Sequence, residues 1–350
     1  MTRKSLLLLA SAILVVSCSS SNKSESVSSR SATSTGEAQQ GTGSVLRLDP
    51  ALDHLVPKDV AIEKLAGGFQ FTEGPLWRPQ LQVLWFSDVV GNVVRQWSPN
   101  GEVKVLIQKA SGDPGNLPQG GFVGPNGEIA DKDGYVLICQ HTARRIVRVG
   151  QDLRLTPLVE RYEGKRFNSP NDLVYRSDAT LYFTDPPYGL AKQDEDPTKE
   201  IPFNGVYRLK NGKVDVIVKD LSRPNGIAFS PDQKVLYVAN SDEKRKVWMR
   251  YDVAEDDTVR NGRVFFDVTA EKEEGLPDGM KVDSQGNIYA TGPGGVWVFS
   301  PDGKHLGTIK PRETPANCNW GDDGKSLYIT ARTGLYRIKL AVVGERALYQ

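Results

Sequence analysis

Apolar residues in this chain gather into short runs that return at even intervals. The runs are Leu84-Trp85-Phe86, Val136-Leu137-Ile138, Leu181-Tyr182-Phe183, Leu236-Tyr237-Val238, Ile288-Tyr289-Ala290 and Leu327-Tyr328-Ile329. After a turn, each is followed by a second β-rich run, at residues 94–97, 146–149, 206–209, 247–251, 296–299 and 335–338. β-Branched and aromatic residues in such short runs, bounded by Gly, Pro, Asn and Asp, predict strands. No stretch of the repeating region carries the 3.6-residue period of an amphipathic helix. Ahead of each apolar run stands an anchor within a turn signal: Glu73, Asn126, Asn171, Asn225, Asp278 and, aligned on the strand that follows, Ala316. The anchors lie 53, 45, 54, 53 and 38 residues apart, close to the period of a four-stranded propeller blade. The pattern predicts an all-β protein, a six-bladed β-propeller over residues 60–340. Its last repeat stops after a third strand, and residues 60–65 precede the first anchor as a fourth strand would. An N-terminal strand should therefore close the sixth blade and remove an open sheet edge.

The first residues obey a different rule. Arg3 and Lys4 precede an apolar run at 6–16, which has the length of an export signal and is too short to span a bilayer. Val15-Val16-Ser17-Cys18 resembles a bacterial lipobox. Residues 1–17 thus read as a lipoprotein signal peptide, with Cys18 as the lipidated residue. Residues 18–44 are mostly Ser, Thr, Gly, Gln and Glu and predict a flexible tether, because they bury too little to offset their ordering entropy. Residues 45–59 read as a lead-in and 341–350 as a C-terminal tail. The expectation is an exported protein facing the periplasm, held to a membrane only by its N-terminal lipid.

Composition narrows the function. Lys and Arg number 44 against 43 Asp and Glu, without the basic excess of a nucleic-acid binder. Three cysteines supply neither a disulfide framework nor a cysteine zinc site. No Gly-x-Ser-x-Gly elbow appears, which disfavours a serine esterase. Arg144-Arg145 and Lys244-Arg245-Lys246 read as solvated turn charges, and Asp194-Glu195-Asp196 as an exposed acidic loop.

Repeat symmetry places the anchors around one mouth of the central channel. Asp88, His141, Asp185 and Asn240, at the ends of the antiparallel second strands, return to that mouth, as does the insertion at 186–204 with Tyr188. Asn and Asp are ordinary turn residues, and one Pro-Asn-Gly would mean little. Ser169-Pro170-Asn171-Asp172, Arg223-Pro224-Asn225-Gly226 and Leu276-Pro277-Asp278-Gly279 at equivalent positions mean more. Glu73, a poor turn residue, means most. Two carboxylates and three amides form a ring of hard oxygen donors. That set suits one divalent cation, calcium foremost, with magnesium, manganese or zinc as alternatives.

At these residues the chain resembles the senescence marker protein/gluconolactonase family, which includes regucalcin and lactonases of sugar acids. The likeness spans about residues 60–340 and looks strongest to bacterial gluconolactonases. The resemblance implies Glu73, Asn225 and Asp278 as metal ligands, and Asn171 as a ligand of metal or substrate. It also implies hydrolysis of a lactone or sometimes a phosphoester. Ser169-Pro170 stands where some relatives carry a substrate-binding arginine, so the resemblance carries over no sugar contact at that position. The reading is metal-assisted lactone hydrolysis, with Asn126, Asn171 and Tyr188 on the substrate. Asp278 would be general base, with His141 or a hydroxide on the cation as rivals. A phosphotriesterase on the same site and a non-enzymatic binding propeller are the alternative functions.

Overall fold

The computed structural model describes residues 42–113 and 121–345. The signal segment, Cys18, most of the tether and residues 346–350 lie outside the described residues. Within them the chain forms six antiparallel sheets of four or five strands around an axis, and a separate two-stranded hairpin, Arg161–Tyr162 with Lys165–Arg166. Blade 1 comprises Thr72–Arg78, Val83–Asp88, Val93–Trp97 and Val103–Gln108; blade 2 Pro125–Ala130, Val136–Gln140, Arg145–Val149 and Leu155–Val159. Blade 3 comprises Leu173–Tyr175, Leu181–Asp185, Gly205–Lys210 and Lys213–Val218; blade 4 Pro224–Phe229, Val235–Asp242, Arg245–Val253 and Val259–Asp267. Blade 5 begins Met280–Val282, Ile288–Gly292, Gly295–Phe299 and His305–Pro311; blade 6 begins Pro315–Gly321, Ser326–Ala331 and Gly334–Lys339.

Continuous apolar runs follow from this packing, because a sheet covered on both faces does not alternate. Leu76, Val94, Ile138 and Val147 fill the gap between blades 1 and 2. Trp77, Phe86 and Tyr328 fill that between blades 6 and 1, where Trp77 stacks on Tyr328 at 5.6 Å. The ring therefore has a core in every gap between neighbours and an axial channel lined by the first strands. Ile62–Gly67 pairs antiparallel with Gly334–Lys339, Ile62 opposite Ile338, and supplies the outermost strand of blade 6.

The lead-in is more structured than its sequence suggests. Gly43–Arg47 pairs with His305–Pro311 as a fifth strand of blade 5, so the tether ends before residue 44. A short 3-10 turn, Pro50–His54, follows, its first turn capped by Asp49. It sets Leu52, Leu55 and Val56 into the core of blades 5 and 6. The tail departs likewise: Gly344 bridges to Asp283 and Val342 is buried. Arg144 is not a solvated charge either. It is buried and donates to the carbonyls of Phe167 (2.5 Å), Thr198 (2.9 Å) and Arg166 (3.4 Å), which staples the 186–204 insertion to blade 2. Nor is the acidic loop fully exposed. Asp196 caps the N–H groups of Lys192 and Thr198 at 2.9 Å each, and Asp194 pairs with Arg223.

Candidate active site

The first strands reach the channel mouth in fixed positions because side chains at the ends of the second strands clasp the loops before them. Asp88 accepts the N–H groups of Gln70 and Phe71 at 3.2 and 3.1 Å. Asp185 takes those of Asn168 and Ser169 at 2.8 and 2.7 Å, and Asn240 takes that of Arg223 at 2.9 Å. These three residues, expected at the mouth, thus hold backbone. Hydroxyls then stitch neighbouring blades: Ser87 donates to Asn126 O (2.7 Å), Thr291 to Ala316 O (2.8 Å), and Ser241 to Pro277 O. The glycine after most anchors permits this closeness. A Cβ on Gly74 would lie 2.2 Å from Asn126 O, and one on Gly226 2.2 Å from Asp278 O.

The result is a cavity of about 730 Å³ whose walls include Glu73, Asn126, His141, Asn171, Asn225 and Asp278, with Tyr188 at its side. Every site residue read from the sequence, apart from Cys18, converges there. Glu73 Oε2 accepts the N–H of Gly74 at 2.9 Å and Asn317 Nδ2 at 3.0 Å. Asn171 Nδ2 donates to Asn225 Oδ1 at 2.5 Å, and Asn225 Nδ2 to Ser241 Oγ at 2.9 Å. His141 faces Asn171 Oδ1 through Nε2 at 3.1 Å. The hydroxyl of Tyr188 reaches Ser241 and Asn225. Asp278 Oδ1 and Asn126 Oδ1 are buried and have no hydrogen-bond partner.

Electrostatics make the site expectant. Burial raises the pKa of Glu73, and the charge of Asp172 raises it further. Burial also raises Asp278 well above the carboxylate range, and the charges of Glu73 and Asp172 add to the shift. Lys281 offsets part of this at Glu73. Both shifts have the same causes: desolvation disfavours the charged carboxylate, and a like charge nearby disfavours it further. The sequence suggested an imidazole titrating near neutrality at His141; burial instead pushes it down to about 4.

Two residues of the site were not singled out in the sequence. Asn317 was hidden by aligning the sixth repeat on Ala316; the alternation of Asn317 and Asn319 within Pro315–Gly321 is the signal that locates it. Asp172 replaces the glycine that follows the other polar anchors. Its Oδ1 accepts the N–H of Leu173 at 2.8 Å, while its Oδ2 is buried without a partner.

A divalent cation fits this chemistry. Among the described residues no cluster of three or more His, Cys, Asp or Glu is arranged to hold a metal, so ligation here must draw on amide oxygens. Glu73 and Asp278 bring two formal charges, Asn171 and Asn225 neutral donors, and the unpartnered Asp278 Oδ1 a free lone pair. All are hard oxygen donors.

The sequence profile described as "SMP-30/Gluconolactonase/LRE-like region" matches residues 71–333. A gluconolactonase of Zymomonas mobilis is 38% identical over 335 residues, covering 89% of this chain and 93% of its own. A 6-deoxy-6-sulfogluconolactonase of Pseudomonas putida is 29% identical over 74% of this chain and 82% of its own. Among solved structures, a gluconolactonase of Xanthomonas campestris superposes with a TM-score of 0.77 at 30% identity, covering 88% of this chain and 99% of that one.

Proposed function

This chain belongs to the SMP-30/gluconolactonase family, and on that premise we propose that it hydrolyses a sugar-acid lactone at the channel mouth. Glu73, Asn171, Asn225 and Asp278 would hold one divalent cation, calcium foremost. The observation that carries this is that Glu73 and Asp278 line one cavity and both feel the charge of Asp172, while Asp278 Oδ1 is buried without a partner. The cation would supply Lewis acidity at the lactone carbonyl, worth several kcal/mol to the developing oxyanion.

The chain's own groups divide the remaining work. Water attacks the carbonyl carbon, the ring C–O bond breaks, and an open-chain hydroxy acid leaves. Asp278 accepts the water's proton on its carboxylate and passes it to the ring oxygen as the C–O bond breaks, so that the product leaves as the hydroxy acid. Asn225 and the N–H of Gly279 steady the carboxylate. Asn126 offers its unpartnered Oδ1 to a substrate hydroxyl, and Tyr188 closes the side of the cavity against water.

The test is an aldonolactone assay with and without chelator, run on three variants. Glu73→Gln and Asn225→Ala should weaken cation affinity and recover part of their activity in excess metal. Asp278→Asn keeps an oxygen ligand but loses the base, so it should stay about 10²–10⁴-fold slow even when saturated with metal. Normal hydrolysis and normal cation affinity in all three would refute the site.

A further inference from the structure

His141 sits in the turn after the second strand of blade 2 with no exposed surface. Its Nδ1 lies 3.1 Å from Phe122 O, and its Nε2 lies 3.1 Å from Asn171 Oδ1. A fully buried imidazole whose partners are a carbonyl and an amide is neutral, and a neutral imidazole has one N–H. Both ring nitrogens nonetheless face oxygen. One of the two contacts is therefore between acceptors.

The conflict has a single economical resolution. The backbone carbonyl of Phe122 cannot donate, so Nδ1 must carry the proton. The amide of Asn171 can turn over, because its oxygen and nitrogen have nearly the same shape. Turned, it donates from Nδ2 to His141 Nε2 and brings Oδ1 round to Asn225 Oδ1, where Nδ2 stands 2.5 Å away in the present arrangement. Asn225 cannot yield in turn, since its Nδ2 is bonded to Ser241 Oγ, which itself donates to Pro277 O. Two amide oxygens at that separation repel unless a cation shares them. The insertion's backbone packs directly on this residue: a Cβ on Gly189 would lie 2.7 Å from His141 O and 2.8 Å from its Cβ.

We propose that His141 is a positioning residue, whose Nε2 accepts a hydrogen bond from Asn171 Nδ2 and thereby aims Asn171 Oδ1 at the cation. This rests on the cation reading above and goes beyond it. It also removes His141 as the base, because the lone pair needed to take a proton from water is committed to Asn171.

The experiment is a calorimetric calcium titration of the full chain and its variants, each checked first by thermal melting. Wild type should bind calcium. His141→Phe removes both ring contacts while keeping bulk, and should weaken affinity about 10–100-fold, the usual cost of losing a ligand's orienting partner. His141→Gln, which can still accept from Asn171, should recover much of that loss. Asn171→Asp presents two equivalent oxygens and needs no orienting partner, so adding His141→Phe to it should change affinity little. At saturating calcium, His141→Phe should keep most of its kcat.

Wild-type affinity in His141→Phe, or the same loss in both backgrounds, would overturn the positioning role while leaving the cation site standing. A 10²–10⁴-fold loss of kcat at saturating calcium would restore His141 as the base. A wild type that takes up no divalent cation would overturn the cation reading and this role together. If the phenylalanine variant does not fold, His141→Met, whose side chain adapts to irregular space, carries the same cycle.

Discussion

Glu128 shows how one side chain can record a channel's polarity. It stands two residues beyond Asn126 on the same first strand, buried at 6% exposure. Its Oε1 lies 2.9 Å from Ser87 Oγ, within hydrogen-bond distance, while its Oε2 has no partner. Burial pushes its pKa up to about 8, against smaller opposing effects of the Ser87 hydrogen bond and the Arg78 charge. The sign is then fixed. The folded chain keeps this proton where the unfolded chain has lost it, so stability falls as pH rises from the ordinary carboxylate value to about 8, by at most roughly 1.4 kcal/mol per pH unit. Glu128→Gln keeps a hydrogen-bonding partner for Ser87 and removes the penalty. Its melting temperature should match wild type near pH 5 and exceed it increasingly up to pH 8. A gap that stays constant with pH would show that Glu128 does not carry the shift.

The strand is the scale at which the sequence was most readable, and the reasons are physical. Blades buried on both faces must be apolar throughout, so their strands stand out as unbroken runs. Anchors recur because each faces the same mouth. What escaped reading was set by tertiary pairing. Gly43–Arg47 is exposed along much of its length and carries too little apolar pattern to announce a strand; it exists because His305–Pro311 offers an edge. Arg144 looks like a surface charge until three carbonyls from two other segments are brought to it. His141 was found by its place at a strand end, but its role depends on a neighbour thirty residues away that only the fold supplies. The closing strand gives a test at this scale. Ile62→Asp places an unpaired charge at 2% exposure in the core beside Ile338, and should cost several kcal/mol and lower the melting temperature markedly. Val264→Asp, at 45% exposure on the outer strand of blade 4, should change stability by about 0.5 kcal/mol or less. Equal melting of the two would mean that the pairing of Ile62–Gly67 with blade 6 does not hold the ring.

For the whole molecule, the proposed cation is a pin as well as a cofactor, since Glu73, Asn171, Asn225 and Asp278 come from blades 1, 3, 4 and 5. A ring whose blades touch only their neighbours gains most from a bond that gathers four of them at the axis. A ligand that binds only the folded chain stabilises it by about 2.7 kcal/mol at one hundred times its dissociation constant. The pH dependence follows from the raised pKa values of Glu73 and Asp278, caused first by burial and then by neighbouring carboxylates. Without a cation, the folded chain holds protons on these acids that the unfolded chain releases in the ordinary carboxylate range. Stability should therefore decline as pH rises from about 5 toward neutrality. With calcium the charged forms are compensated and the protons leave on binding, so affinity should climb over the same interval. Melting curves taken in chelator and in calcium should accordingly lie closest at pH 5 and farthest apart at pH 8. Asp278→Asn, which lacks one of the two charges, should narrow the separation at pH 8. Curves that coincide at pH 8, or that converge as pH rises, would remove the cation from the axis and leave the buried acids to be explained by protons alone.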